Sequence, residues 1–367
     1  MMKASSLVVC CAVVVSSLAC RTAFAQSPFG SNAGTSYRQQ AILNSLVEPC
    51  SEGDFPKQLA LLKEMRELTR NHEGECNVLS IAEIDFIMRD VELGLSFSPE
   101  KIEQFKAMIA KSRQAQLTLS TKDYASAVKE CRNCVEISRE LYGPQACCTI
   151  RTQISLANAI SYSGENIEEG VAAVADAAKR LEAAEVTDYR IYGETQLSLT
   201  RLYSLQRDHE KAIVAGERTL KSLVNYQMQK TTTYIAVATL LADESNKLNR
   251  HAAALEYAMK GRVMSPAETG ETSYYFYQLL LQTARANHGL QKRDETIREY
   301  SLLIFKLEQN SRSDPALRLE CLKEYATVLD GFGDEDRQTE IQRKIERLTR
   351  RDDDPLEFTG EKSRYSN

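Results

Sequence analysis

Apolar residues along most of the chain recur at the spacing of an amphipathic helix, as at Leu199, Leu202 and Tyr203. Short polar breaks such as Gln206–Asp208 interrupt these runs, and longer breaks with Gly and Pro, such as Tyr142–Gln145, alternate with them. No segment alternates apolar and polar residues in the way of a convincing strand. The pattern therefore predicts an almost wholly α-helical chain of paired helices after residue 37.

The helical pattern repeats about every 42 residues. Small residues recur in steps of 42, 43, 42, 42 and 42, at Ala115, Ala157, Thr200, Ala242, Ala284 and Ala326. A second series follows 12 or 13 residues later, at Ala127, Gly170, Ala212, Ala254 and Thr296. Two antiparallel helices approach closely only where side chains are short, so each series marks one side of a helix crossing. A period of this kind is typical of a repeat architecture, in which each unit buries its apolar face against its neighbours.

These series resemble the tetratricopeptide repeat, whose signature has small residues at positions 8 and 20 of each unit. Leu199, Thr200, Tyr203, Ala212 and Leu220 match that signature. The period is longer than the usual 34 residues and is similar to the long-helix repeats of kinesin light chains and many bacterial proteins. The resemblance covers residues 103–349, about six units, and implies a right-handed α-solenoid of stacked helix pairs, a tetratricopeptide-like superhelix.

The remaining segments are assigned by composition. Residues 1–25 have the pattern of an export signal, with an apolar stretch at Leu7–Leu18 and a cleavage sequence at Ala23–Ala25. We therefore expect an exported periplasmic or extracellular protein with no membrane span after signal removal. Lipid anchoring at Cys20 is a less favoured alternative. Residues 26–36 are predicted to be a flexible linker, 37–102 a divergent helical cap, and 350–367 a disordered tail.

Four cysteines stand in two pairs, Cys131 with Cys134 and Cys147 with Cys148. The first pair falls at repeat positions 24 and 27, which face the interior of the repeat, so both are expected to be buried core thiols without a metal. A zinc site would require all four sulfurs to converge within about 2.3 Å of the ion, which the intervening helix opposes. Cys147 or Cys148 is the better candidate for an exposed thiol, and a disulfide from one of them to another unit stays open.

Signals for other chemistry are weak. No zinc-protease motif, nucleophile elbow or phosphate-binding glycine loop is present. The net charge is −5, and positive and negative residues are mixed along the chain, so the sequence shows no basic patch of the kind that binds nucleic acid. No cofactor is predicted, and an enzyme is a third and least favoured hypothesis.

The resemblance places the first helix of each unit on a concave face that meets extended peptides or partner helices. Carried onto this chain, the outward positions 9 and 12 of the first helices predict a partner-binding groove of Gln116, Asn158, Arg201, Asp243, Asn246, Arg285 and His288. The leading hypothesis is a non-enzymatic scaffold that binds a protein or peptide there. The alternative is a structural or assembly component of the cell envelope that uses its convex face or its ends.

Overall fold

The computed structural model describes residues 33–71, 79–186, 189–225, 231–264, 274–310 and 315–353. Within these ranges the chain is helical and has no β-strand, which confirms the all-α prediction. The predicted signal at 1–25, the linker up to residue 32 and the tail from residue 354 lie outside the described residues. The first helix already begins at Ala33 and the last one ends at Asp353. The predicted linker and tail therefore each take in four helical residues, because a helix that is already formed adds one hydrogen bond per residue at little cost, even through polar sequence.

The chain divides into two compact units between Met228 and Gln229, here called the N-terminal and C-terminal units. The N-terminal unit begins with four cap helices: α1 (Ala33–Ser45), α2 (Val47–Glu52), α3 (Phe55–Arg70) and α4 (Ile81–Gly94). The Asp54 carboxylate caps α3, and the Ser80 hydroxyl caps α4 by accepting from the Glu83 amide at 3.1 Å. Such caps satisfy amide groups that have no partner inside the helix.

Three helix pairs follow in the N-terminal unit, and three more form the C-terminal unit. The pairs of the N-terminal unit are α5 (Pro99–Ser120) with α6 (Tyr124–Tyr142), α7 (Cys147–Ser163) with α8 (Ile167–Ala183), and α9 (Glu194–Leu205) with α10 (His209–Asn225). Those of the C-terminal unit are α11 (Thr232–Lys247) with α12 (His251–Met264), α13 (Tyr274–Gly289) with α14 (Arg293–Gln309), and α15 (Pro315–Gly331) with α16 (Glu335–Asp353). From α5 onward, helices adjacent in sequence pack together within each unit, and the first helices of neighbouring pairs also touch, as α7 with α9 and α11 with α13.

The small residues of the two series lie where the helices of a pair cross. Ala157, Ala242 and Ala284 on first helices are fully buried, and so are Ala212 and Ala254 on second helices. Gly170 shows how tight the crossing is: a Cβ there would lie 3.1 Å from Ile160 and 3.2 Å from Leu202. The regularly spaced small residues therefore lie where paired helices pack closely, as their spacing predicts.

At one shared place in the repeat, the turn inside each pair has a residue with positive φ. These residues are Lys122 (64°), Gly164 (72°), Arg207 (61°), Asn249 (57°), Gln291 (59°) and Gly333 (65°). The left-handed conformation costs a non-glycine residue roughly 1–2 kcal/mol, yet four of the six turns have a non-glycine residue at this place, and the turn between α7 and α8 adds Asn166 (55°). The turn geometry is thus set by the packing of the pair rather than by a local glycine.

Within the described parts of the chain, none of the helices combines the length and the apolar character that a bilayer crossing needs.

Candidate interaction surface

The predicted groove residues all lie on first helices, at positions 9 and 12 of their repeats. Gln116 is on α5, Asn158 on α7, Arg201 on α9, Asp243 and Asn246 on α11, and Arg285 and His288 on α13. His288 is exposed and the other six are partly buried. The structure thus places these side chains at corresponding sites along each unit, and their role in binding stays a prediction.

In the C-terminal unit several of these residues bond to the next first helix. The Gln282 side-chain amide donates to Asp243 Oδ1 at 3.0 Å. Asn246 Nδ2 donates to the Gln282 backbone oxygen at 3.1 Å and to its Oε1 at 3.0 Å. An Arg285 guanidinium nitrogen also lies 3.6 Å from Asp243 Oδ1, so these two oppositely charged side chains form an ion pair.

Arg285 also makes a shorter, two-point bond to the following first helix. Its Nε and Nη2 donate to the two carboxylate oxygens of Glu324 on α15, at 2.8 and 2.6 Å, and these bonds raise the pKa of Arg285. The Tyr300 hydroxyl donates to the same carboxylate at 2.5 Å. Burial acts to raise the pKa of Glu324, but the bonds from Arg285 and Tyr300 outweigh it and lower that pKa. Arg285 is therefore held mainly by Glu324 rather than left free for a ligand.

The same register of bonds occurs in the N-terminal unit, where Ser198 Oγ donates to Asn158 Oδ1 at 3.0 Å. In each unit a residue at position 9 bonds to position 6 of the next first helix: Asn158 to Ser198, Asp243 to Gln282, and Arg285 to Glu324. Sequence reasoning missed the position 6 partners. Their spacing of 39 or 40 residues from the position 9 residues was the available signal.

Arg201 differs from these three residues. It is partly buried on α9, and among the described residues no hydrogen bond or ion pair holds its guanidinium. A ligand could therefore engage Arg201 without breaking an internal bond.

The predicted burial of Cys131 and Cys134 is confirmed. They expose 3% and 2% of their surface and are not disulfide-bonded, and burial raises the pKa of Cys131 to about 12. Cys147 is also buried, at 3%, and Cys148 is only partly exposed. Among the described residues, no three His, Cys, Asp or Glu side chains lie close enough together to hold a metal ion.

Sequence reasoning also missed a polar cluster where α4 meets the first helices of the N-terminal unit. Asp90 on α4 accepts a hydrogen bond from the Cys148 amide at 2.6 Å, and Glu83 accepts one from the Ile191 amide at 2.9 Å. Burial raises the pKa of Asp90 to about 6, against the hydrogen bonds from the Cys148 and Cys147 amides, which lower it. Arg151 on α7 lies buried beside both carboxylates. Residues of several helices line a partly open cavity of about 50 Å³ here, among them Ile87, Asp90, Val91, Tyr142, Cys147 and Arg151.

Comparison with known proteins shows similarity in fold. No family model matches the chain, and no curated protein matches it. BtubC (BKLC) from P. vanneervenii superimposes with a TM-score of 0.51 at 14% identity, over 65% of this chain and 92% of BtubC. A kinesin light chain candidate from Podosopora anserina with nearly identical TPR-like repeats gives a TM-score of 0.49 at 15% identity, over 56% of this chain and 96% of that one. The apo form of RapI gives 0.47 at 14% identity, over 81% and 99%. With its paired helices and buried small residues, the chain has a tetratricopeptide-like helical repeat fold.

Proposed function

We propose that this protein is a non-enzymatic interaction scaffold that binds a protein or peptide partner on the surface formed by its first helices. The observation that carries the proposal is the shared register of polar side chains on those helices. Arg201 and His288 occupy it without being held in the position 9 to position 6 bonds, while Asn158, Asp243 and Arg285 keep neighbouring first helices in place. Rigid helices that present polar side chains at the same positions of their repeats suit the recognition of a peptide partner.

We further propose that the protein acts outside the cytoplasm. The export pattern at residues 1–25 supports this location. Cys50 is disulfide-bonded, and structural disulfides persist mainly in oxidising compartments.

The test is capture of the partner from the native envelope, with the chain from Gln26 onward as bait. The variant Arg201→Glu reverses one charge on a first helix without removing an internal bond. Lys179→Glu makes the same charge change at an exposed site on the second helix α8 and serves as the matched control. The proposal predicts that Arg201→Glu loses the partner that wild type and Lys179→Glu both retain. Equal capture by all three chains would contradict binding through the first helices.

One observation favours the alternative, in which the protein assembles through its second helices. Val214, Met259, Val263 and Phe305 lie on second helices and expose between 44% and 73% of their surface. Exposed apolar side chains of this size can mark contact sites when they are contiguous. Loss of capture by Phe305→Glu, with normal capture by Arg201→Glu, would favour this alternative.

A further inference from the structure

Two first helices of the N-terminal unit begin without a capping side chain of their own. Ala146 precedes α7 and Gly193 precedes α9, and neither supplies a side-chain hydrogen bond. By contrast, Ser98 caps α5 and Thr231 caps α11 with their hydroxyl groups. The first amides of a helix have no partner inside it and favour negative charge. The starts of α7 and α9 therefore need acceptors from elsewhere in the fold.

Helix α4 supplies an acceptor to each of them. Asp90 takes the Cys148 amide at the start of α7, and Glu83 takes the Ile191 amide in the π-helical turn Tyr189–Gly193 that leads into α9. Seven residues separate Glu83 from Asp90, so the two carboxylates lie on one face of α4, about 10 Å apart along its axis. Neighbouring packed helices are separated by roughly 8–10 Å. The spacing of the carboxylates on α4 thus matches the spacing of the two helix starts.

A buried positive charge lies beneath this contact. Arg151 is one turn into α7 and 4% exposed. Its three guanidinium nitrogens make no hydrogen bond to a nitrogen or oxygen atom of the described residues, and the Cys147 thiol lies next to them. Its charge interacts with both Glu83 and Asp90. At the same repeat position, the C-terminal unit has Gln278 partly exposed and Glu320 exposed. In the N-terminal unit, α4 therefore covers the start of a first helix at Arg151, whereas the corresponding residues of the C-terminal unit are more exposed.

We propose that the starts of α7 and α9, together with Arg151, form a recognition site for an amphipathic helix that carries two carboxylates seven residues apart. In the structure this site, here called the carboxylate seat, holds α4 as an internal ligand. A partner helix of the same pattern would displace α4, with its own apolar residues in the places of Ile87 and Val91 against the cavity. This inference rests on the proposed function as an interaction scaffold, and it names the class of partner for the N-terminal unit.

The internal helix determines how the site responds to a competitor. A segment tethered in the same chain acts at an effective concentration on the order of millimolar. Wild-type protein should therefore exclude a free helix at micromolar concentration. A chain whose own α4 has lost both carboxylates should accept it.

The experiment measures binding of a fluorescent peptide of residues 79–97 to the full mature chain by anisotropy. The double variant Glu83→Ala/Asp90→Ala removes both acceptors from α4. The matched control Arg89→Ala/Glu92→Ala changes two exposed residues of the same helix. The proposal predicts that the first variant binds the peptide at least about tenfold more tightly than wild type or the control. A peptide that itself lacks both carboxylates should not bind.

The proposal is overturned if the peptide with both carboxylates and the peptide without them bind equally well. It is also overturned if neither peptide binds a Glu83→Ala/Asp90→Ala chain whose helix content is unchanged. If that chain loses helix content, Asp90→Ala alone is used, with the same two outcomes. A wild-type dimer with exchanged α4, detected by light scattering and cross-linking, would assign the seat to a second copy and overturn the proposal for a foreign helix. Partner loss by Arg201→Glu without peptide binding would leave the proposed function intact and remove only the carboxylate seat. The reverse result would remove the proposed site at Arg201 and leave the seat.

Discussion

Removing the carboxylate of Glu324 should loosen α15 from the helices before it. In the substitution Glu324→Ala, Arg285 loses two hydrogen bonds of 2.8 and 2.6 Å, and the Tyr300 hydroxyl loses its acceptor. The side chains of Arg285 and Glu324 are 31% and 27% exposed, so the pair lies between a surface pair and a buried one. Surface pairs contribute about 0–1 kcal/mol, and breaking a buried pair costs roughly 3–5 kcal/mol. We therefore expect Glu324→Ala to cost on the order of 2 kcal/mol.

Native-state hydrogen exchange of the α15 amides measures this cost locally, without assuming that the two units unfold together. Glu320→Ala is the matched control, because it makes the same change at an exposed site one turn earlier on α15. A double-mutant cycle of Glu324→Ala with Arg285→Ala should give a coupling of about 1–2 kcal/mol. Because the pKa of Glu324 is lowered in the fold, its contribution is complete above its ordinary pKa of 4.5 and is lost as the pH falls through its folded value. A cost no larger than that of Glu320→Ala, or a coupling near zero, would refute this reasoning.

Three further changes test other parts of the structure. Gly164→Ala should destabilise the chain by about 1 kcal/mol through the positive φ of this residue, since no atom lies within 4 Å of the added Cβ. Gly331 has the same open space but no positive φ, so Gly331→Ala should not destabilise the chain. Thermal unfolding of the two variants measures the difference. The pKa of Asp90 is raised from 3.8 to about 6. As the pH falls from 7 to 4, wild type should therefore gain stability over Asp90→Asn, on the order of 2 kcal/mol. If urea unfolding gives the same free-energy difference between the two proteins at both pH values, this prediction is wrong. Replacing Cys131 and Cys134 by Ala should keep the fold and cost on the order of 1 kcal/mol each from lost packing, and stoichiometric zinc in the wild type that disappears in the double variant would show that these thiols bind metal.

Periodicity predicted the features that repeat. The small residues Ala157 and Ala242 indicate the helix crossings, and the same register predicts that Cys131 lies in the core, where it is 3% exposed. The bond from Arg285 to Glu324 follows the repeat as well, but a search for charges at one position could not find it, because the partner stands three positions earlier in the next unit.

Contacts between the cap and the repeats could not be predicted from the sequence. Asp90 and Cys148 are 58 residues apart, and Glu83 and Ile191 are 108 apart. The cap does not share the period of the repeats, so no register relates its residues to theirs. Only the folded arrangement of α4 brings its carboxylates to the starts of two other helices, and this arrangement creates the carboxylate seat.

The central claim, that a partner binds on the first helices, is tested most directly by photo-cross-linking in the native envelope. A photoreactive phenylalanine analogue at His288, exposed on the first helix α13, is compared with the same analogue at Arg298, exposed on the second helix α14. The account predicts a covalent adduct with one partner protein from position 288 and none from position 298. An adduct from position 298 alone would contradict the claim and assign binding to the second helices.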